Sequence, residues 1–127
     1  MTDKKLVRIL VGDDEIEDYA QRYFSEFSGV EFDFVDNPED LVEKANLEHY
    51  PIVVTDLTYI SEEKGRRLAG FDVLEALRDY GAVKILWTGD SEDNRQKAQS
   101  LGATLVAKRD ITSYLKSLLE KMNGVDD

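Results

Sequence analysis

Apolar residues along the chain alternate between two periods. Residues 6–11 are a short β-branched run of buried-strand type, broken only by Arg8. Ile16, Tyr19, Ala20, Tyr23 and Phe27 then recur at helical spacing, which predicts a helix over 14–27. Residues 30–35 alternate strictly, as a strand with one wetter face does. Asn37 and Pro38 form an N-cap and a first-turn proline, opening a helix through about Leu47. Residues 51–55 are a continuous apolar strand ending at Asp56. Residues 57–70 show no clear period and read as a loop with at most one helical turn. A helix over 71–80 follows, with Phe71, Leu74 and Leu77 on one face, and then a strand over 83–87 ending at Thr88. Ser91 caps a polar helix through Leu101, whose inner face offers only Ala98 and Leu101. The last strand, 103–107, ends at Lys108, and the last helix spans about 112–122 with Leu115, Leu118, Leu119 and Met122 inward.

Five β–α units of this length predict an α/β fold: a doubly wound, five-stranded parallel sheet with helices on both faces. Such sheets carry function outside the carboxyl ends of their strands. The first strand ends in Asp13 and Asp14, the third in Asp56, the fourth in Thr88 and the fifth in Lys108. In the strand order 2-1-3-4-5, those four strands lie side by side and the five residues share one crevice. Three adjoining carboxylates repel one another, and a cation relieves them. All-oxygen ligands without thiol or imidazole select a hard cation, Mg²⁺ before Mn²⁺. A carboxylate can also be a nucleophile toward phosphorus, with Lys108 and the Thr88 hydroxyl meeting the phosphoryl oxygens. Asp56 is the best placed, because it ends the central strand between the acidic pair and the Thr/Lys pair. Taken singly, each residue has a plainer reading. Acids in a first helical turn favour the helix dipole, which accounts for Glu15, Glu17 and Asp18, and a lone Asp56 or Lys108 is a loop cap or a solvated lysine. Their coincidence at one sheet edge is what chance does not readily supply.

Composition narrows the chemistry further. The 127 residues fit one domain, 1–127. There is no cysteine, so disulfides, thiolate metal sites and cysteine nucleophiles are excluded, and one histidine cannot build a histidine cage. His49, beside Tyr50 and Pro51, reads as a surface residue, Trp87 as core, and Tyr19, Tyr23, Phe24 and Phe27 as helix core or partner face. A net charge of −11 makes nucleic acid and anionic membranes poor partners. Residues 1–5 are polar and charged, unlike a signal peptide, and no run approaches the ~20 apolar residues of a membrane span. The cytoplasm is the expected location.

With these residues in place, the sequence resembles the receiver domain of two-component response regulators, chemotaxis regulators included. The resemblance rests on Ile9-Leu10-Val11-Gly12-Asp13-Asp14-Glu15, Val53-Val54-Thr55-Asp56-Leu57 and Gly70-Phe71-Asp72-Val73-Leu74. It continues through Ile85-Leu86-Trp87-Thr88-Gly89, Ala98 to Ala103 and Leu105-Val106-Ala107-Lys108, and so covers nearly the whole chain. It implies a flavodoxin-like receiver fold and an aspartyl-phosphate signalling protein, not a turnover enzyme. Asp56 is then the phospho-acceptor, Asp13 and Asp14 the acidic pair that holds Mg²⁺ with Asp56, Thr88 the switch hydroxyl and Lys108 the phosphate-contacting lysine. Leu57 and Thr58 stand where receivers contribute neighbours of metal and phosphate. The implied donor is a histidine kinase or histidine phosphotransfer protein. The output is a changed contact with a downstream protein target in a single-domain regulator, without direct nucleic-acid contact or membrane insertion. Four features depart from the family pattern. Thr58-Tyr59-Ile60 replaces a Met-Pro pair, the segment before Gly70 is longer by several residues, Leu105 replaces the switch aromatic, and Arg109 replaces the proline after the lysine. Without proline, the Lys108–Arg109 bond is expected to be trans. Lys64, Arg66 and Arg67 of the long segment suggest a lid or docking element near the acceptor, against a solvated loop balanced by Glu62 and Glu63. One alternative is a receiver-like interaction module that is never phosphorylated. Another is an aspartate-nucleophile phosphohydrolase, disfavoured because Thr58 stands where its second aspartate belongs. A flavin binder is disfavoured because Gly12-Asp13-Asp14-Glu15 repels phosphate.

Overall fold

The computed structural model describes residues 7–15, 22–25, 27–61, 63 and 65–123. In chain order its elements are β1 (Val7–Gly12), β2 (Val30–Val35), α1 (Pro38–Glu48), β3 (Ile52–Asp56), β4 (Tyr59–Ser61), β5 (Gly65–Arg67), α2 (Gly70–Ala76), β6 (Val83–Thr88), α3 (Glu92–Ser100), β7 (Thr104–Ala107), a 3₁₀ turn (Lys108–Asp110) and α4 (Ile111–Asn123). Five strands form one parallel sheet in the order β2-β1-β3-β6-β7, which is the expected 2-1-3-4-5. The helix expected over 14–27 lies largely outside the described residues, although 22–24 are helical.

Strand alternation sorts the core onto the two sheet faces. Ile9, Val11, Ile52, Val54, Ile85, Trp87 and Val106 face one way, against Phe24 and against Ile111, Leu115 and Leu119 of α4. Leu10 and Val53 face the other way, with Leu41, Ala45, Val73 and Leu77. Leu86 and Leu105 lie on that same side with Leu74, Ala98 and Leu101. Leu105 is therefore a packed core residue. Asn37 caps α1 by accepting from the Asp40 N–H at 2.8 Å, and Ser91 caps α3 by accepting from Asn94, both as expected. At the sheet's outermost strand, Arg95 of α3 donates to the Leu105 carbonyl at 3.4 Å. Among the described residues no helix is long and apolar enough to cross a membrane.

Three expectations are corrected. The segment 57–70 is not loop throughout: within it β4 and β5 pair antiparallel, with Tyr59 opposite Arg67, Ile60 opposite Arg66 and Ser61 opposite Gly65. The helix expected over 71–80 runs only from Gly70 to Ala76. Its early end is held by Lys84, a buried lysine on β6 whose ammonium donates to the Leu77, Arg78 and Tyr80 carbonyls at 3.0, 3.1 and 3.3 Å. A cation at a helix carboxyl end satisfies the orphan carbonyls and complements the dipole. Met122 is not inward but 38% exposed, because the packed stripe of α4 ends at Leu119. Ile111, fully buried at the start of that stripe, lies just before the expected helix start.

Candidate functional site

Each strand contributes its chemistry at the point where its run of β-branched residues stops. Asp13 follows β1 directly, and its N–H donates to the Val35 carbonyl at 3.0 Å, which continues the β1–β2 pairing to the sheet's edge. Asp56 is the last residue of β3, paired in register with Trp87 of β6. Thr88 ends β6 beside Ala107, and Lys108 opens the 3₁₀ turn directly after β7. All five expected residues therefore lie at the carboxyl edge of the sheet.

The structure brings four of them into contact or close approach. Asp13, Asp14 and Asp56 each present a carboxylate oxygen within 4.8 Å of the others. Asp13 is 1% exposed and Asp56 9%, whereas Asp14 is half-buried. The Lys108 ammonium donates to Asp13 Oδ2 at 2.8 Å and lies 3.4 Å from Asp56 Oδ2. Backbone donors hold each acid in place. Asp13 Oδ1 accepts from the Glu15 N–H at 2.7 Å, Asp56 Oδ1 from Leu57 at 2.8 Å and Asp14 Oδ2 from Ile60 at 2.8 Å. Thr88 is half-buried at the end of β6, and half-buried Thr58 lies two residues beyond Asp56.

Burial pushes the Asp56 carboxyl up to about 6, and the neighbouring Asp13 and Asp14 charges push the same way. The Lys108 charge and the Leu57 N–H oppose that rise. At neutral pH Asp56 is thus ionised yet poorly solvated, a condition that favours both a counter-cation and attack on an electrophile. The donor set is all oxygen, and each carboxylate keeps lone pairs beyond those used by the N–H donors. These residues fit a hard divalent cation such as Mg²⁺.

Sequence reasoning missed two parts of the site. One is the hairpin. Tyr59 is buried beneath it, its hydroxyl 2.9 Å from the Thr55 hydroxyl, which in turn donates to the Asp56 carbonyl at 2.9 Å. A β-carbon at Gly12 would lie 2.6 Å from Leu41 Cδ2 and closer still to the Tyr59 hydroxyl, so this ring needs a glycine at the end of β1. Farther along, Arg67 grips Glu39 at the start of α1 with two N–H groups, at 2.8 and 3.3 Å. Arg67 is thus paired with α1 in this structure, while Arg66 is exposed. The aromatic and β-branched pair Tyr59-Ile60, followed within a few residues by Gly65 at φ +67°, is the hairpin signal that the charged residues obscured. The second missed part is Trp87. It is fully buried as expected, but its indole N–H donates to the Lys108 carbonyl at 3.0 Å and its ring lies 3.7 Å beneath the Lys108 ammonium. No cis peptide bond occurs among the described residues, so Lys108–Arg109 is trans, as expected.

No family model matches this sequence, and no curated protein does. Solved structures do match its shape. A LuxR-family two-component response regulator from Aurantimonas superposes with a TM-score of 0.72 at 20% identity, over 93% of this chain and 85% of that one. A two-component response regulator from Clostridium difficile gives 0.71 at 19% identity, over 92% and 98%. The Vibrio cholerae chemotaxis protein CheY4 gives 0.69 at 18% identity, over 91% and 98%. Together with the strand order and the acidic edge, these superpositions give the chain the receiver-domain fold of the response regulators.

Proposed function

We propose that this chain is a phospho-accepting receiver: Asp56 takes a phosphoryl group from a histidine kinase or histidine phosphotransfer protein, and the phosphorylated form contacts a downstream protein in the cytoplasm. The observation that carries the reading is the Lys108 ammonium set between Asp13 and Asp56 at the end of the central strand. An Asp56 carboxylate oxygen forms the new P–O bond as the donor's P–N bond breaks. The bonding pair leaves on the imidazole nitrogen, which takes a proton. Lys108 then exchanges carboxylate partners for a phosphoryl oxygen, a charge-assisted contact of the same kind. The Thr88 hydroxyl donates to another oxygen. Asp13, Asp14 and Asp56 would hold Mg²⁺, with Thr58 next to them, and the ion supplies positive charge that offsets their repulsion and draws in the phosphoryl oxygens. Thr58 stands where a phosphohydrolase would carry its second aspartate, so in this reading the chain acts as a signalling acceptor and not as a turnover enzyme.

Intact-mass measurement with acetyl phosphate and Mg²⁺ tests the reading. The wild type is expected to gain one phosphoryl group and Asp56→Asn none. An unmodified wild type, or equal gain in both, overturns it. The metal site has its own check in thermal melts. Millimolar Mg²⁺ is expected to raise the wild-type midpoint by mass action and to leave Asp14→Ala nearly unmoved. The same shift in both proteins removes Asp14 from the ligand set.

A further inference from the structure

We infer that Trp87 is a positioning residue for Lys108, holding its side chain over the gap between Asp13 and Asp56. The inference rests on the phospho-acceptor reading above and names what aims its lysine. Lysine carries four rotatable methylenes and loses much rotamer entropy when fixed in one place. Here one buried side chain grips it at both ends. The Trp87 indole N–H donates to the Lys108 carbonyl at 3.0 Å, which pins the main chain where β7 gives way to the 3₁₀ turn. The face of the same ring lies 3.7 Å from the Lys108 ammonium. A cation over an indole face is attracted by the ring quadrupole, more strongly where water is excluded, and Trp87 is fully buried. The ring itself is clamped edge-on by Tyr23 and Phe24, with centroids at 5.5 and 5.4 Å. It is also next to Thr88 in sequence and opposite Asp56 in register. From this seat the ammonium reaches Asp13 Oδ2 at 2.8 Å and Asp56 Oδ2 at 3.4 Å, where an incoming phosphoryl group needs it.

The test pairs a spectrum with a double-mutant cycle. In wild-type protein the Lys108 ε-methylene protons are expected well upfield of the other lysines, since they lie over the indole face. Ordinary shifts overturn the inference without any variant. In the cycle, initial rates of phosphoryl uptake from acetyl phosphate are compared in wild type, Trp87→Leu, Trp87→Phe, Lys108→Ala and the Trp87→Leu/Lys108→Ala pair. Trp87→Leu is expected to slow uptake about tenfold, the effect of losing a desolvated cation–π contact, and Trp87→Phe, which keeps an aromatic face, to recover part of that rate. In the Lys108→Ala background the leucine substitution is expected to cost nothing further. An equal loss with and without Lys108 means that Trp87 acts as core alone, and overturns the inference. Far-UV circular dichroism and thermal melts identify a variant that has not folded, in which case Trp87→Phe and the wild-type spectrum decide. A wild type that takes up no phosphoryl group overturns the phospho-acceptor reading instead, and the methylene shifts still decide the placement of Lys108.

Discussion

Asp56→Asn is expected to make the metal-free protein more stable at pH 7, by up to about 3 kcal/mol, the free-energy equivalent of its pKa displacement. The carboxyl titrates near 3.8 when unperturbed and about 6 in the fold, raised chiefly by burial. Below about pH 4 both folded and unfolded chains carry the proton, so the group costs nothing. Between about 4 and 6 the unfolded chain releases it and the folded chain does not, so this group lowers stability as the pH rises. Above about 6 the full cost remains. Asparagine removes that cost and can still accept the Leu57 N–H that Asp56 Oδ1 now takes at 2.8 Å. Thermal melts of both proteins from pH 4 to 8 in chelator check this: the curves are expected to converge near pH 4 and separate by pH 7. Other carboxylates act in the opposite sense. Tyr50 and Arg8 hold Asp33 below its usual range, and Lys44 and Arg8 draw Glu48 down to about 2, which is why the difference between the two proteins is the quantity to read. A difference that is flat with pH, or a less stable asparagine variant at pH 7, contradicts the account.

The second large effect concerns the backbone behind the acceptor. Gly70→Ala is expected to destabilise the fold by about 2–3 kcal/mol, as overpacking against immovable atoms does. Its β-carbon would lie 2.6 Å from Leu57 Cα, 3.1 Å from the Asp56 carbonyl carbon and closer still to the Asp56 carbonyl oxygen. These are main-chain atoms of the site and cannot turn away as a side chain does. The Gly70 N–H also donates to the Leu57 carbonyl at 2.9 Å, so α2 starts in direct contact with the end of β3. Relief of the clash displaces Asp56 itself, and phosphoryl uptake is expected to fall more than the loss of stability accounts for, since small misplacements at a reacting group are costly. Gly81→Ala is the control, because nothing lies within 4 Å of a β-carbon there. Equal melting points for Gly70→Ala and wild type contradict the packing argument.

What could be read in advance divides along physical lines. The placement of Asp13, Asp14, Asp56, Thr88 and Lys108 at strand ends was legible because each buried strand announces its end by the first polar residue after an apolar run, whereas the sheet order came from the α/β topology that the receiver resemblance implies. The β4–β5 hairpin was not, because strands of three residues are too short to show a period and Lys64, Arg66 and Arg67 masked them. The early end of α2 was hidden because the group that caps it, Lys84, comes from the middle of another strand's pattern. The tie between Trp87 and Lys108 joins residues 21 positions apart through a hydrogen bond to main chain, which side-chain pattern does not encode.

The bond from Arg95 to the Leu105 carbonyl bears on how this domain can be recognised. β7 is the outer strand on that side of the sheet, and an outer strand ordinarily offers its free carbonyls and N–H groups to any extended peptide. Here one of those acceptors is already taken by a guanidinium from the domain's own helix. A peptide adding itself as a sixth strand must first dislodge Arg95, whereas a partner that reads side chains leaves it in place. On the β7 side of the sheet, the first group an incoming strand meets is therefore a helix-borne cation and not bare backbone.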